Sequence, residues 1–228
     1  MTPGTNSIAF DIVGFDLDGT LLDTSGDLAA AVNFTLAQIG RPPFSVEQVR
    51  TLVGRGAKVM LERGLEASGG CTPDLMAQYL PVLLDYYGAH LADHSAPYPG
   101  LLAAMDALDD HGVKLAVCTN KYERFAVRLI EQMGLTHRFA AIIGGDTMGP
   151  GKSKPDPAPI HEMIRRSGGG RTIFVGDTIY DIMAAKNAGI PNIAVSFGFL
   201  MQPIAELGAD AVIDHYDELL PLLESWPA

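Results

Sequence analysis

Short apolar runs rich in β-branched residues alternate with longer segments of helical periodicity along most of the chain. The apolar runs predict strands at 8–15, 114–118, 139–143, 172–175, 193–196 and 211–213. The periodic segments predict helices at 101–111, 123–133, 158–167, 179–188 and 216–224. Because strands and helices that alternate in this way form a parallel sheet covered on both faces, we expect an α/β fold with a doubly wound parallel sheet.

One block of the chain departs from this alternation. Between the first strand and the helix at 101–111, the pattern predicts helices and no convincing strand. We therefore expect residues 1–22 and 96–228 to form one α/β core, and residues 23–95 to form an all-α domain inserted into it. The two connections between these parts are expected to act as hinges that let the helical domain close over the core.

The helices of this block have recognisable start signals. Thr24 and Asp27 have the spacing of a capping box, Ser45 begins a second helix, and Thr72 precedes a proline at a helix start. Pro81 lies inside the last helical segment of the block, so we expect a kink or a split there.

Two carboxylates follow the first strand directly. Asp16 and Asp18 are separated by one residue, and positions i and i+2 of a strand point the same way. Two neighbouring carboxylates repel each other unless a cation neutralises them, and a hard divalent ion such as Mg²⁺ prefers oxygen ligands. A strand followed by an Asp-rich turn explains the same residues, so this stretch alone leaves both interpretations open.

Other predicted strands also end in polar groups. Thr119 and Asn120 follow the strand at 114–118, while Asp177, with Asp181 four residues later, follows the strand at 172–175. Lys154 lies in the loop that precedes the helix at 158–167. Because ligands of open α/β sheets bind outside the carboxyl ends of the strands, this set of groups suits Mg²⁺ and a phosphoryl group.

The formal net charge of −11, from 16 Lys and Arg against 27 Asp and Glu, disfavours nucleic acid and anionic membrane surfaces as partners. No uninterrupted apolar run reaches the length that spans a bilayer. The two cysteines form no spacing motif, and residues 1–7 lack the pattern of a signal peptide. We therefore expect a cytoplasmic protein in a reducing compartment.

Four stretches of the sequence resemble the four ordered motifs of the haloacid dehalogenase superfamily. They lie at 16–20, 117–120, 154–157 and 175–181. The helical insertion after the first motif matches the cap domain of that superfamily, whose core is Rossmann-like. The residues at 119–121, 144–147 and 196–198 are most similar to the corresponding residues of phosphoglycolate phosphatases.

The resemblance implies a role for each of these residues in phosphoryl transfer. Asp16 would be the nucleophile that forms an aspartyl-phosphate, and Asp18 would be the general acid and base. Thr119 and the backbone N–H of Asn120 would hold phosphoryl oxygens. Lys154 would offset negative charge on the nucleophile and the phosphoryl group.

The resemblance also implies a Mg²⁺ site. Asp16, the backbone carbonyl of Asp18, and Asp177 would bind the ion, and Asp181 would bond to a metal-bound water. The substrate would be a small phosphorylated metabolite. The sequence leaves open whether the protein is a monomer or a homodimer.

Three residues near these motifs keep alternative interpretations. Lys152 rivals Lys154, although the match to Lys-Pro-Asp-Pro favours the latter. Asp146 lies in a second Gly-Asp-Thr triplet that has no acid four residues later, so it is expected to shape a loop or lie at the rim. Arg55, between two glycines, is either a solvated turn residue or part of a flexible loop that binds a substrate carboxylate.

Three functions fit the sequence. The first is a Mg²⁺-dependent phosphatase for a small phosphate monoester, with 2-phosphoglycolate as the favoured substrate. The second is a sugar phosphomutase that resembles β-phosphoglucomutase, and the third is a non-catalytic binding protein of the same fold. The acid at Asp18 favours phosphate-ester chemistry within the superfamily, and the intact set of four motifs counts against the non-catalytic interpretation.

Overall fold

A parallel sheet of six strands forms the centre of the protein in the computed structural model, which describes residues 8–227. The strands, numbered in chain order, are β1 (Ile12–Phe15), β2 (Leu22–Asp23), β3 (Ala96–Pro97), β4 (Lys114–Cys118), β5 (Phe139–Ile143), β6 (Thr172–Gly176), β7 (Asn192–Val195) and β8 (Ala211–Ile213). The sheet has the order β5-β4-β1-β6-β7-β8, whereas β2 and β3 pair only with each other. The expectation about a signal peptide concerns residues 1–7, which lie outside the described residues.

Helices cover both faces of this sheet. In the core they are α5 (Leu101–Asp110), α6 (Glu123–Gln132), α7 (Ala158–Arg166), α8 (Ile179–Asn187) and α9 (Leu219–Glu224). Successive residues of β1 pack on opposite faces, because side chains alternate along a strand. Val13 lies in one buried cluster with Leu101 and Leu129, whereas Ile12 lies in another with Met163 and Ala184. The predicted α/β fold with a doubly wound parallel sheet is confirmed.

The position of β1 determines where the polar strand ends meet. It is paired in parallel with β4 on one side and with β6 on the other. Phe15, its last residue, is level with Val117 of β4 and Val175 of β6. The residues that follow these three strands therefore emerge at one edge of the sheet.

The helical block between β2 and β3 contains four α-helices. They are α1 (Ser25–Ala37), α2 (Val46–Arg50), α3 (Gly56–Gly69) and α4 (Pro73–Ala89). The starts predicted at Ser45 and Thr72 are confirmed, since each side chain accepts a hydrogen bond from a backbone N–H three residues later. The boundaries of the core and the helical domain stay a prediction.

Helix α4 continues through Pro81, so the predicted split is absent. A proline inside a helix removes one backbone hydrogen bond and crowds the preceding turn. Leu83 and Tyr87, which follow it, are both buried, with 0% and 2% of their surface exposed. Their packing offsets the loss of that hydrogen bond and keeps the segment as one helix.

The capping box predicted at Thr24 and Asp27 is wrong, because both side chains bind partners outside the helix. The Thr24 hydroxyl donates to Asp18 at 2.6 Å. The Asp27 carboxylate accepts from the backbone N–H of His94 at 3.0 Å and from the hydroxyl of Ser95 at 2.6 Å. Asp27 therefore ties the start of α1 to the chain segment that returns to the core.

The two connections between the helical block and the core lie side by side. Strands β2 and β3 form an antiparallel ribbon in which Leu22 is opposite Pro97 and Asp23 is opposite Ala96. Among residues 8–227, no helix is both long enough and apolar enough to cross a membrane.

The Asp27→Ala substitution should lower the free energy of unfolding by about 1–3 kcal/mol, because it removes the buried carboxylate that accepts the backbone N–H of His94 and the hydroxyl of Ser95 in the second connection. Urea denaturation followed by circular dichroism measures the change. Asp74→Ala, which removes an exposed acid from the first turn of α4, is the matched control and should change stability by only a few tenths of a kcal/mol. Equal effects of the two substitutions would show that Asp27 does not hold the connection.

Candidate active site

Five of the residues predicted to carry the chemistry are buried together at the carboxyl edge of the sheet. Exposed fractions range from 0% to 7% for these five, which are Asp16, Thr119, Lys154, Asp177 and Asp181. The parallel register of β1, β4 and β6 brings their chain segments to this edge. Buried charged side chains are costly unless they are paired, so their contacts determine what the site can do.

Asp16 follows β1 and lies next to a lysine. Its Oδ1 is 3.0 Å from Nζ of Lys154 and also accepts the backbone N–H of Leu17 at 2.7 Å. Burial, reinforced by the nearby carboxylate of Asp181, raises the pKa of Asp16 to about 7, although Lys154 opposes the shift. A carboxylate so placed is desolvated and has few competing partners, which suits a nucleophile.

Lys154 is the cation of this cluster. Its Nζ donates to Asp181 Oδ1 at 2.5 Å and to the carbonyl of Cys118 at 2.7 Å. Burial alone would lower the pKa of Lys154, but Asp16 and Asp181 raise it above its ordinary value, so the ammonium stays charged. Lys152, the alternative named above, lies exposed and pairs with Asp156 at 3.2 Å.

Asp177 and Asp181 are held by the loop that joins β6 to α8. Asp177 accepts from the Thr20 hydroxyl at 3.2 Å and from the backbone N–H of Phe199 at 2.6 Å. Asp181 accepts from both the N–H and the hydroxyl of Thr178, which forms a capping box at the start of α8. Burial and the carboxylates of Asp181 and Asp16 raise the pKa of Asp177.

The acidic side chains can hold a metal ion. Carboxylate oxygens of Asp16, Asp177 and Asp181 lie within 4.8 Å of one another. Lys154 is the one cation paired with this group among residues 8–227, so three carboxylates share a single positive charge. Such a buried excess of negative charge, built from oxygen ligands, fits a hard divalent cation.

A glycine allows the backbone to approach this cluster closely. Gly19 has a φ of +80°, and a Cβ at this position would collide with the carboxylate of Asp177. The Asp-Gly-Thr sequence that follows β1 therefore has a direct steric reason for its glycine.

Asp18 has different partners from the other acids. Its two oxygens accept from Nζ of Lys121 at 2.6 and 2.7 Å, and one of them also accepts from the Thr24 hydroxyl at 2.6 Å. Its side chain is therefore separate from the acidic group that can hold a metal. Thr24, at the start of the helical block, and Lys121, in the loop after β4, therefore orient the side chain of Asp18 together.

Lys121 was missed as a site residue by sequence reasoning. Its side chain is buried, and Asp18 raises the pKa of Lys121 above its ordinary value although burial alone would lower it. One signal was available, because Lys121 directly follows the Thr119 and Asn120 pair at the end of a predicted strand. Its partner could be identified only from the fold, since 103 residues separate Lys121 from Asp18.

Asn120 joins the core to the helical block. Its side-chain amide donates to the carbonyl of Lys154 at 3.1 Å and to the carbonyl of Gly54 at 2.9 Å. Thr119 is oriented by the same turn, because its hydroxyl accepts the backbone N–H of Lys121 at 3.2 Å. Asn120 therefore lies beside Lys154, and Thr119 directly follows Cys118, whose carbonyl accepts from Nζ of Lys154.

Arg55 and Asp146 lie outside this buried cluster. The Arg55 side chain is exposed, and its guanidinium carbon lies 5.6 Å from the ring centre of Tyr180. Asp146 is also exposed and accepts the backbone N–H of Glu123 at 2.8 Å, which fits a loop-shaping residue. Both residues line a groove on the outer side of the cavity described next.

A cavity lies between the acidic cluster and the helical block. Asp16, Asp18, Thr119 and Lys121 form its polar side. The opposite side is largely apolar and consists of Leu28, Val53, Ala57, Met60, Leu83, Tyr87 and Phe125. The arrangement offers a buried carboxylate, a cation and a group of oxygen ligands that fits a metal ion to a small anionic molecule in the cavity.

Comparison with known proteins is consistent with this arrangement. The family model for haloacid dehalogenase-like hydrolases matches residues 13–195. A phosphoglycolate phosphatase of Agrobacterium fabrum (strain C58) is 44% identical over 214 residues, covering 92% of this chain and 90% of that protein. A phosphoglycolate phosphatase of Caulobacter vibrioides is 41% identical over 226 residues, covering 95% of this chain and 93% of that protein.

Solved structures have the same fold over almost the whole chain. A predicted phosphoglycolate phosphatase from Haemophilus somnus 129pt superposes with a TM-score of 0.86 at 30% identity, covering 96% of this chain and 99% of that one. CbbY from Rhodobacter sphaeroides, solved in complex with phosphate, gives a TM-score of 0.76 at 25% identity, covering 92% and 96%. The resemblance inferred from the four sequence motifs is confirmed, and the chain belongs to the haloacid dehalogenase-like hydrolase family.

Proposed function

We propose that this protein is a Mg²⁺-dependent phosphatase that hydrolyses 2-phosphoglycolate to glycolate and phosphate through an aspartyl-phosphate on Asp16. The observation that carries the proposal is the buried contact between Asp16 and Lys154, beside two further carboxylates that can hold a metal. The phosphoglycolate phosphatases that are 41–44% identical to this chain support the choice of substrate.

The metal would be held by the acidic residues beside the nucleophile. Asp16, Asp177 and the backbone carbonyl of Asp18 would bind Mg²⁺ directly, and Asp181 would act through a water molecule. When bound, the ion supplies positive charge that stabilises the negative charge of the phosphoryl oxygens. The donor set fits this ion because it consists of oxygen atoms with an excess of negative charge.

In the first half-reaction, a carboxylate oxygen of Asp16 forms a bond to phosphorus while the ester bond to the leaving oxygen breaks. Lys154 offsets the charge that gathers at this point, and Thr119 with the backbone N–H of Asn120 holds the phosphoryl oxygens. Asp18 gives its proton to the leaving glycolate oxygen.

In the second half-reaction, Asp18 is a carboxylate and takes a proton from the attacking water. The oxygen of that water bonds to phosphorus, the bond to Asp16 breaks, and phosphate leaves. Lys121 and Thr24 orient Asp18 through hydrogen bonds to its carboxyl oxygens. The helical block covers the cavity, so water is kept away from the nucleophile until the intermediate has formed.

The Asp16→Asn variant should have no detectable turnover of 2-phosphoglycolate in the presence of Mg²⁺, since its amide cannot form the phosphorylated intermediate. Release of inorganic phosphate measures turnover, and circular dichroism confirms that the variant is folded. Asp146→Asn, which makes the same chemical change at an exposed acid, is the control and should retain activity. Substantial turnover by Asp16→Asn would rule out the covalent mechanism.

The same assay should include β-glucose 1-phosphate as a second substrate. Formation of glucose 6-phosphate, with little release of phosphate from either substrate, would instead identify a phosphomutase. The proposed phosphatase releases phosphate from 2-phosphoglycolate and forms no glucose 6-phosphate.

Without metal, the free energy of unfolding should fall as the pH rises from about 5 to about 8. Burial and neighbouring carboxylates raise the pKa of Asp16 to about 7 and that of Asp177 above its ordinary value. The folded state then holds protons that the unfolded chain has already released, so stability is lost as the pH passes through the folded-state values. Saturating Mg²⁺ should remove much of this loss, because it binds the ionised carboxylates.

Urea denaturation at the two ends of this pH range, in EDTA and in Mg²⁺, measures these changes. The Asp177→Asn variant should show a weaker pH dependence in EDTA and a smaller gain from Mg²⁺. Asp74→Asn removes an exposed acid and controls for the loss of one negative charge. Identical pH profiles with and without Mg²⁺ would contradict a metal site at these carboxylates.

A further inference from the structure

The hydroxyl of Tyr87 is a buried polar group without a partner. Tyr87 lies on α4, has 2% of its surface exposed, and its hydroxyl has no hydrogen-bond partner within residues 8–227. Its ring packs edge-on against Phe125, with ring centres 5.5 Å apart. An unsatisfied buried donor costs stability, so a native structure that retains one has a reason for it.

This hydroxyl belongs to a residue that lines the cavity beside the acidic cluster. Asp18 and Lys121 line the same cavity, and Nζ of Lys121 lies 4.8 Å from the centre of the Tyr87 ring. Burial raises the pKa of Tyr87 to about 12, although the ammonium of Lys121 opposes the shift. The hydroxyl therefore stays protonated near neutral pH and can only gain by donating to an acceptor.

Lys121 has donor capacity left for the same acceptor. An ammonium has three N–H donors, and Nζ donates to the two oxygens of Asp18, which leaves one N–H on the side of the Tyr87 ring. The cavity thus holds two buried donors, one neutral and one charged. A carboxylate has two oxygens and can accept from both.

The position of Lys121 sets the distance of this acceptor from the reacting phosphorus. Asp18 must reach the leaving oxygen to protonate it, and Lys121 contacts Asp18 directly at 2.6 Å. The acceptor on the substrate must therefore lie close to its leaving oxygen. A carboxylate separated from that oxygen by a single carbon meets this requirement.

We propose that the Tyr87 hydroxyl and the Lys121 ammonium together bind the carboxylate of a short phosphorylated acid and thereby select the substrate. The proposal rests on the phosphatase function stated above and names the residues that would make it selective. From the sequence, Arg55 was one candidate for binding the substrate carboxylate. Here Tyr87 and Lys121, which line the cavity, take that role instead.

Binding of two non-hydrolysable phosphonates tests this subsite without requiring turnover. 3-Phosphonopropionate has the shape and carboxylate of 2-phosphoglycolate, and propylphosphonate replaces the carboxylate with a methyl group. Isothermal titration calorimetry in Mg²⁺ should show that the wild-type protein prefers 3-phosphonopropionate by at least about 10-fold, the order expected for a hydrogen bond to a charged group. Tyr87→Phe should lose most of this preference.

Tyr87→Phe keeps the ring and its packing and removes only the hydroxyl. Because that hydroxyl has no hydrogen-bond partner among residues 8–227, the thermal midpoint should not fall. Tyr98→Phe is the matched control, since Tyr98 also has a buried hydroxyl without a partner in residues 8–227 and does not line the cavity. This control should keep the full preference for 3-phosphonopropionate.

Steady-state kinetics provide the second measurement. Tyr87→Phe should raise the KM for 2-phosphoglycolate by about 10-fold, with a smaller change in kcat, because the hydroxyl contacts the carboxylate and not the phosphorus. Hydrolysis of ethyl phosphate, which has no carboxylate, gives the reference for each variant. The kcat/KM for 2-phosphoglycolate divided by that for ethyl phosphate should therefore fall in Tyr87→Phe and stay constant in Tyr98→Phe.

The outcomes separate this proposal from the phosphatase function. An undiminished preference for 3-phosphonopropionate in Tyr87→Phe, or no preference in the wild-type protein, would overturn the subsite even if phosphate esters are hydrolysed. A preference that depends on Tyr87, in a protein that hydrolyses no ester, would support the subsite and refute the phosphatase function.

Discussion

A shortage of positive charge in a buried cluster of carboxylates is the constraint on which the rest of the site depends. Asp16, Asp177 and Asp181 lie within 4.8 Å of one another, and Lys154 is the cation that they share within residues 8–227. Burial raises the pKa of Asp16 to about 7, because the ionised carboxylate is unfavourable in this buried site. The parallel register of β1 and β6 brings Asp16 and Asp177 to one edge of the sheet, and a divalent cation would relieve the repulsion there.

The helical block contacts residues beside this cluster. Thr24, at the first connection, holds Asp18. Arg50 of α2 pairs with Asp23 at 2.6 Å. Its guanidinium carbon also lies 5.4 Å from the ring centre of Phe199. The backbone N–H of Phe199 in turn donates to Asp177. Movement of the helices would therefore change the surroundings of the proposed general acid, Asp18, and of Asp177 in the proposed metal site.

Local patterns in the sequence were sufficient to predict most of the fold and the residues of the carboxylate cluster. Strand β4 was predicted with both ends correct, because an apolar run between polar ends fixes its position. Residues that act through distant partners could not be assigned in this way. Thr24 and Asp27 have capping-box spacing but bind Asp18 and the second connection, and the partner of Lys121 lies 103 residues earlier.

The central claim is that Asp16 is the nucleophile of a metal-dependent phosphoryl transfer, and trapping the intermediate tests it most directly. The wild-type protein would be mixed with 2-phosphoglycolate and Mg²⁺, quenched in acid within the first turnover, digested and analysed by mass spectrometry. If Asp16 is the nucleophile, the peptide that contains Asp16 carries one added phosphoryl group, and it carries none when EDTA replaces Mg²⁺. A phosphoryl group on a different residue, or turnover with no phosphorylated peptide at any quench time, would contradict it.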